Sequence, residues 1–154
     1  MYSKLKMGDL LYRQKGIVQH LGVYLGNKSV LHNSPSRGAR VTTFEEFADK
    51  RQVKVRKISN VNQAELVGRL SEILGQNERY SLLGNNCEHI ANYLLKGRGY
   101  SPQLQATIVG LIISGFLSYN SKSSNLYLSL ALGAAAGLLT YNIGRKYDDV
   151  LLVD

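Results

Sequence analysis

Cys87 is the only cysteine in the chain, and the residues around it indicate a nucleophile. It lies in the stretch 84–97, GNNCEHIANYLLKG, whose apolar residues recur at helical spacing until Gly97. Asn85 and Glu88 have the spacing of a capping box, which predicts a helix that begins near the cysteine. Unpaired N–H groups and the helix dipole favour a thiolate there. We therefore expect the pKa of Cys87 to lie below its usual ~8.5.

A cysteine nucleophile needs a base that is close in the fold, even when it is distant in sequence, and His20 and His32 are the candidates. Cys87 would attack a carbonyl carbon, His20 would act as general base and acid, and His32 would orient His20. His89 points elsewhere around the predicted helix, so we interpret it as a structural hydrogen-bonding residue. The alternative is that Cys87 is only a small buried apolar residue.

Attack on a carbonyl creates an oxyanion, which needs hydrogen-bond donors. The backbone N–H of Cys87 at the helix start is the first expected donor, and the side chains of Gln19, Tyr24 and Asn86 are candidates for the second. The spacing of the histidines and the cysteine matches no usual structural zinc site, so neither a metal nor another cofactor is expected.

Two predicted strands position the histidines. The stretch 17–25 is rich in β-formers, Gly26-Asn27-Lys28 predicts a hairpin turn, and 29–32 is the returning strand. Alternation puts His20, Gly22 and Tyr24 on one face of the first strand. The hairpin therefore places two imidazoles on adjacent strands of one sheet.

The polar stretches 13–16 and 33–38 are interpreted as a link and a loop. Thr43 and Glu46 predict a short capped helix with Phe44 and Phe47 inward, and 52–58 predicts a strand. Asn62 and Glu65 predict a longer helix over 63–75. Its core stripe is expected at four residues: Leu66, Leu70, Ile73 and Leu74.

After residue 103 the composition changes to two apolar runs without charges, 104–119 and 126–143. Basic residues lie at the outer ends, Lys96, Arg98, Arg145 and Lys146, while Lys122 lies in the turn. This pattern predicts a helical hairpin with both ends on the cytoplasmic side of a membrane, and Gly133 and Gly137 are suited to close helix contact. A soluble hairpin or a surface for a homo-oligomer is the alternative. We predict a domain over 1–103 and the hairpin over 104–154.

A formal net charge of +8 and a pI near 9.6 favour an anionic partner. The ten Tyr and three Phe are scattered and the basic residues form no dense run, so phospholipid headgroups are preferred over nucleic acid. One cysteine excludes an intrachain disulfide and suits a reducing compartment. The start of the chain has no apolar run of secretory type, which favours a cytoplasmic, membrane-associated protein.

Three motifs resemble the lecithin:retinol acyltransferase-like family: HLGVYLG from His20, VLH ending at His32, and NCEH around Cys87. The likeness covers about 8–105, and KGRGYS from Lys96 followed by an apolar segment is similar to the H-Ras-like suppressor phospholipase/acyltransferases. In papain-like enzymes the cysteine helix precedes the histidine strand, and here it follows. The resemblance therefore implies an α+β fold of the circularly permuted papain-like (NlpC) type, with an antiparallel sheet packed on helices.

The resemblance further implies Cys87 as nucleophile, His20 as base and His32 as third polar member. The implied chemistry takes an acyl chain from a glycerophospholipid as a thioester on Cys87 and passes it to water, an amine or a hydroxyl. Ile90 stands where family members often place an aromatic residue. Two other functions remain open: a permuted papain-like amidase acting on a peptide or isopeptide, and a non-catalytic membrane-interaction module.

Overall fold

The computed structural model describes residues 4–16, 18–76, 80–81, 83–121 and 125–152. The chain divides into two compact units. The first comprises Met1–Tyr100 with Lys146–Asp154, and the second comprises Ser101–Arg145.

A six-stranded antiparallel sheet forms the frame of the first unit. In chain order its strands are β1 (Leu10–Lys15), β2 (Val18–Gly26), β3 (Ser29–Ser34), β4 (Gly38–Thr43), β5 (Val53–Arg56) and β6 (Asp149–Leu151). Their order across the sheet is β4-β3-β2-β1-β5-β6. The helices are α1 (Phe44–Ala48), α2 (Gln63–Gly75), α3 (Cys87–Lys96), α4 (Pro102–Asn120) and α5 (Leu126–Ile143). The α+β class, with an antiparallel sheet on helices and a C-terminal apolar hairpin, is confirmed.

Each face of the sheet buries its own apolar cluster. The first cluster joins β1, β2 and β3 to α2 and α3, through residues such as Leu21, Leu66 and Leu94. The second packs α1 onto the other face, with Phe44 and Phe47 fully buried. Successive strand residues alternate between the two clusters, as a pleated sheet requires.

The β2–β3 hairpin is as expected. The chain reverses at three residues with positive φ: Gly26 at 92°, Asn27 at 46° and Lys28 at 58°. Glycine and asparagine adopt positive φ at a lower steric cost than other residues, which favours the turn at this position. The register pairs Gly22 with His32, with an irregularity between Tyr24 and Gly26. Residue 17, the predicted first residue of β2, lies outside the described part.

Three strands differ from expectation. The predicted link 13–16 is largely the end of β1, a central strand paired with both β2 and β5. The predicted loop 33–38 is shorter because β3 continues to Ser34 and β4 starts at Gly38. No strand was foreseen after the apolar runs, yet β6 pairs with β5. β1 and β6 both pair with β5, which is distant from each in sequence, so local patterns do not reveal them; β3 and β4 form a local hairpin whose polar residues 33–38 were interpreted as a loop.

The helix caps of α1 and α2 agree with the sequence. Thr43 accepts from the N–H of Glu46 at 3.1 Å, and Asn62 accepts from the N–H groups of Ala64 and Glu65. The helix 63–75 has the predicted bounds, with Leu66 and Ile73 buried. The prediction that Leu74 belongs to the core is wrong, because it is 47% exposed.

The second unit is a hairpin of α4 and α5 with a seam of small residues. A Cβ on Gly110 would collide with the carbonyl oxygen of Gly133, and a Cβ on Gly137 would collide with that of Ala106. The two backbones therefore approach closely, as small residues permit. Gly133 and Gly137 are used within the chain, against α4. Lys122 lies outside the described residues.

Gly22 provides the space in which Phe47 packs against the sheet. A Cβ at this position would lie 2.7 Å from Val30 Cγ1 and 2.8 Å from Phe47 Cε2. We expect Gly22→Ala to lower the free energy of unfolding by about 1–3 kcal/mol through overpacking, measured by urea denaturation. Gly68→Ala is the matched control, since open space surrounds that helical glycine and the change should stabilise α2 by about 0.5–1 kcal/mol. Equal stability of the two variants would contradict this account.

Candidate active site

His20 and His32 meet on adjacent strands of the sheet. His20 Nε2 lies 3.0 Å from His32 Nδ1, and the two rings are nearly perpendicular, at 85° with centroids 5.1 Å apart. The two residues are 6% and 5% exposed. The hairpin thus joins the two imidazoles by a buried hydrogen bond.

Phe47 from α1 forms the apolar wall of this pair. Its ring stacks on His20 at 27° and meets the edge of His32 at 63°, with both centroid distances 5.6 Å. Water is therefore largely excluded from both imidazoles. Because Gly22 has no side chain, Phe47 can approach the strand between them.

Burial lowers the pKa of both histidines. The pKa of His20 falls to about 3, first through loss of solvent and then through His32 and Arg13. The pKa of His32 falls to about 4, again by burial and then through Arg40 and Arg13. Both rings are neutral at pH 7, so one donates and the other accepts in their hydrogen bond. If His20 Nε2 donates to His32, then Nδ1 of His20 keeps a lone pair that can accept a proton.

The cap of the cysteine helix is Asn86, one residue later than predicted. Asn86 Oδ1 accepts from the N–H groups of Glu88 at 2.9 Å and His89 at 3.1 Å, which makes Cys87 the first residue of α3. The prediction of a capping box between Asn85 and Glu88 is therefore wrong. The predicted end at Gly97 is right, and this glycine has a φ of 68°.

Asn85 instead anchors the turn that precedes α3. Its backbone exchanges two hydrogen bonds with Ser81, at 3.1 and 3.0 Å. Its carbonyl oxygen also accepts from the side-chain amide of Asn33 on β3, at 2.8 Å. Sequence reasoning missed Asn33 because it was placed in a loop, and its identity alone gave no signal.

The backbone N–H groups of Leu21 and Glu88 lie near the Cys87 sulfur and can hydrogen-bond its anion, as the helix start also favours. These bonds stabilise a thiolate, yet burial outweighs them and raises the pKa of Cys87. The expectation of a lowered pKa is therefore wrong. The thiol is protonated at rest because loss of solvent destabilises the thiolate more than the N–H groups at the helix start stabilise it.

The sulfur reaches the sheet at Leu21, on the face that α2 and α3 cover, whereas the rings of His20 and His32 lie on the opposite face, against Phe47 of α1. The β2–β3 ladder ends at Gly22 and His32, so Leu21 lies just beyond the last pair, and its N–H bonds the sulfur. Among the described residues, no hydrogen bond joins Cys87 to either imidazole. His20 and His32 are thus directly in contact, and the thiol lies at the backbone of the neighbouring residue.

The three side chains considered as second oxyanion donors are engaged elsewhere. Gln19 accepts from the Tyr147 hydroxyl at 2.7 Å, and the Tyr24 hydroxyl accepts from the N–H of Lys28 at 3.1 Å. Asn86 caps α3. The donor that the structure does place at the sulfur, besides those at the helix start, is the backbone N–H of Leu21.

His89 lies on another side of α3. Burial lowers its pKa, and its Nδ1 is buried with no partner among the described residues. His89, Asn85 and Tyr93 are among the residues that line a cavity of about 240 Å³, in whose wall neither Cys87 nor His20 takes part. Within the described ranges, no group of three His, Cys, Asp or Glu side chains is arranged to hold a metal ion.

The site can be compared with known proteins. Residues 3–100 match the family model described as lecithin retinol acyltransferase, which is well over half of the chain. The chain belongs to the lecithin retinol acyltransferase family. The matched region contains β1 to β5 and the cysteine helix, so it includes His20, His32 and Cys87.

The curated relatives are named either phospholipase A and acyltransferase or lecithin retinol acyltransferase. Mouse phospholipase A and acyltransferase 1 is 30% identical over 70% of this chain and 79% of its own length. Human phospholipase A and acyltransferase 3 is 25% identical over 71% and 82%. Human lecithin retinol acyltransferase is 27% identical over 90% and 75%. The chain is thus related to lipid acyltransferases and phospholipases.

The buried histidine pair gives this family member an acid-sensitive fold. Both pKa values lie below that of an unfolded histidine, near 6.5, so below this pH the unfolded chain binds more protons than the folded one. The stabilisation is complete above pH 6.5 and is lost as the pH falls through that value towards 4. We expect the free energy of unfolding to fall by roughly 1 kcal/mol per pH unit from this source, measured by urea denaturation between pH 7 and 4.5.

The control compares the wild type with the double variant His20→Gln/His32→Gln. Carboxylates contribute their own pH dependence to both proteins, so the histidine contribution is the difference between the two slopes. Cys87→Ala should keep the wild-type slope, since its thiol does not titrate in this range. Identical slopes in the wild type and the double variant would show that the imidazoles are not held neutral by burial.

Proposed function

We propose that this protein is a thiol-dependent phospholipase A/acyltransferase that takes an acyl chain from a glycerophospholipid as a thioester on Cys87. One observation carries the proposal: the thiol at the start of α3 approaches β2 at Leu21, one residue from His20, whose ring is hydrogen-bonded to His32 on the other face of the sheet. Membership in a family with curated phospholipases and acyltransferases supports the substrate class.

In the proposed first step, the sulfur attacks the ester carbonyl carbon and the thiol proton passes to Nδ1 of His20. This transfer requires the His20 ring, which rests on the opposite face of the sheet, to move towards the sulfur at the open end of the β2–β3 pairing. The C–S bond forms, and the carbonyl π electrons move to oxygen. The tetrahedral intermediate then collapses, expelling the alkoxide of the lysophospholipid, which takes the proton from His20. The products are an acyl thioester, a lysophospholipid and a neutral imidazole.

In the second step, His20 takes a proton from water, an amine or a hydroxyl group as this acceptor attacks the thioester. Collapse releases the fatty acid or the acylated acceptor, and the proton returns to the sulfur. His32 accepts the Nε2–H bond of His20 and so stabilises the transient imidazolium. Since burial keeps thiol and imidazole neutral at rest, proton transfer accompanies attack rather than preceding it.

The backbone N–H groups of Cys87 and Leu21 are the proposed oxyanion donors. Both lie near the sulfur, and a carbonyl under attack would place its oxygen close to them. Backbone donors fixed by α3 and β2 need little rearrangement during reaction. This assignment replaces the three side chains considered from sequence.

The hairpin is proposed to hold the enzyme at a membrane from the cytoplasmic side. Among the described residues, α5 is the one helix long and apolar enough to cross a bilayer, and none of its residues is buried. Side chains such as Ile112, Phe116 and Leu132 are more than half exposed. An exposed apolar surface of this kind is typical of a segment that contacts lipid, and the proposed phospholipid substrate lies in the same bilayer.

The thioester is directly testable because the chain has a single cysteine. After incubation with a diacyl glycerophospholipid, intact-protein mass spectrometry should show one acyl adduct that hydroxylamine removes. His20→Asn should lower the rate of adduct formation by roughly 10²–10⁴, the contribution of general acid–base catalysis.

Cys87→Ala and Cys87→Ser are the controls for this assay, and neither should carry the adduct or release lysophospholipid. An unmodified wild-type thiol together with full activity of Cys87→Ala would falsify the proposal. Modification by a peptide ester but by no phospholipid would instead favour the amidase alternative.

Membrane association is testable by liposome flotation of point variants. Leu132→Arg places a charge on the exposed face of α5 and should weaken partition by about 3 kcal/mol, roughly a hundredfold. Val67→Arg is the matched control, since it changes an exposed apolar residue of α2 in the other unit and should leave flotation unchanged. Equal flotation of the wild type and Leu132→Arg would exclude the hairpin as the anchor.

A further inference from the structure

Asn33 is a fully buried amide that links two parts of the site. It follows His32 on β3 and is 0% exposed. Its Nδ2 donates to the backbone oxygen of Asn85 at 2.8 Å and lies 3.3 Å from the Asn85 Oδ1. Asn85 precedes Cys87 by two residues, so one side chain ties the strand of His32 to the turn that leads into the cysteine helix.

This contact lies at the end of the pairing between β2 and β3. Beyond the pair Gly22–His32, β2 and β3 no longer pair, and the next residues are Leu21 and Asn33. The backbone of Leu21 bonds the Cys87 sulfur, while the side chain of Asn33 bonds Asn85. The two strands thus hold the sulfur and the preceding turn by one contact each.

The environment of Asn33 is poorly explained by stability alone. Its Oδ1 is buried and has no partner among the described residues. A buried polar group that is only half satisfied is unfavourable, and apolar side chains of similar shape often serve a core better. The feature that only an amide provides here is the donor to the Asn85 carbonyl.

We propose that Asn33 is a positioning residue, which holds the turn before α3 on the histidine strand so that the Cys87 sulfur stays at the Leu21 N–H of β2. This inference rests on the proposed function. Asn33 acts through Asn85 and does not contact the reacting atoms. Its contribution is the placement of the thiol against β2, since a shift of about 1 Å in a reacting group can lower the rate a hundredfold.

The test replaces Asn33 by Leu, which keeps the approximate shape and removes the donor. With a dispersed diacyl glycerophospholipid as substrate, Asn33→Leu should lower kcat for lysophospholipid release about 10- to 100-fold and leave KM nearly unchanged. Loss of the Leu21 hydrogen bond also disfavours the thiolate. The pH midpoint for alkylation of the folded protein by iodoacetamide should therefore move upward, and the single cysteine makes this signal specific.

Asn92→Leu is the matched control. Asn92 lies on α3 and donates from Nδ2 to the Tyr100 carbonyl at 3.0 Å, a bond of the same type away from the thiol. It should lower the thermal unfolding midpoint while kcat and the alkylation profile stay at wild-type values. Asn33→Ala serves as a second variant if Asn33→Leu gives no cooperative urea transition.

A loss of kcat with a shifted alkylation midpoint in Asn33→Leu, and neither change in Asn92→Leu, supports the inference. Lowered stability with wild-type kcat and alkylation profile in both variants would overturn it, leaving Asn33 a purely structural residue. Failure of the proposed function is distinguishable. In that case the wild type forms no acyl adduct, while the alkylation profiles still compare the two asparagines.

Discussion

The hydrogen bond between His20 and His32 depends on one strand register. Gly22 pairs with His32, which puts both imidazoles on the face of the sheet that α1 covers. A slip by one residue would turn them to the opposite face, against α2 and α3. The positive-φ turn at 26–28 fixes this register, and the absence of a side chain at Gly22 lets Phe47 close over the pair.

Burial then determines how the three titratable groups ionise. The same packing that orients the imidazoles removes their solvent, and the thiol has likewise lost more solvation than the neighbouring backbone N–H groups replace. A helix start favours the thiolate, and burial in apolar surroundings opposes it; here burial has the larger effect. The resting site is therefore a neutral one.

Local sequence predicted the elements that local interactions form. Asn62 and the apolar spacing defined α2, and Gly26-Asn27 defined the hairpin that carries the histidines. The β1 register and β6 were missed because they depend on distant partners. Two adjacent asparagines gave no basis for choosing Asn86 over Asn85 as cap, and the sign of the Cys87 pKa shift required its burial in three dimensions. The roles of Cys87, His20 and His32 stay predictions.

The strand β6 follows the hairpin and returns to the sheet. It pairs with β5 at the sheet edge, and Asp148 there accepts from the N–H of Lys57 at 2.7 Å. Tyr147 also packs edge-on against Tyr12, with ring centroids 5.4 Å apart. Truncation after Tyr100 would therefore remove β6 as well as the apolar helices α4 and α5. Strand β5 would then become an unpaired edge strand, which favours aggregation. A water-soluble form is better made by excising 101–145 and rejoining the ends with a short flexible bridge.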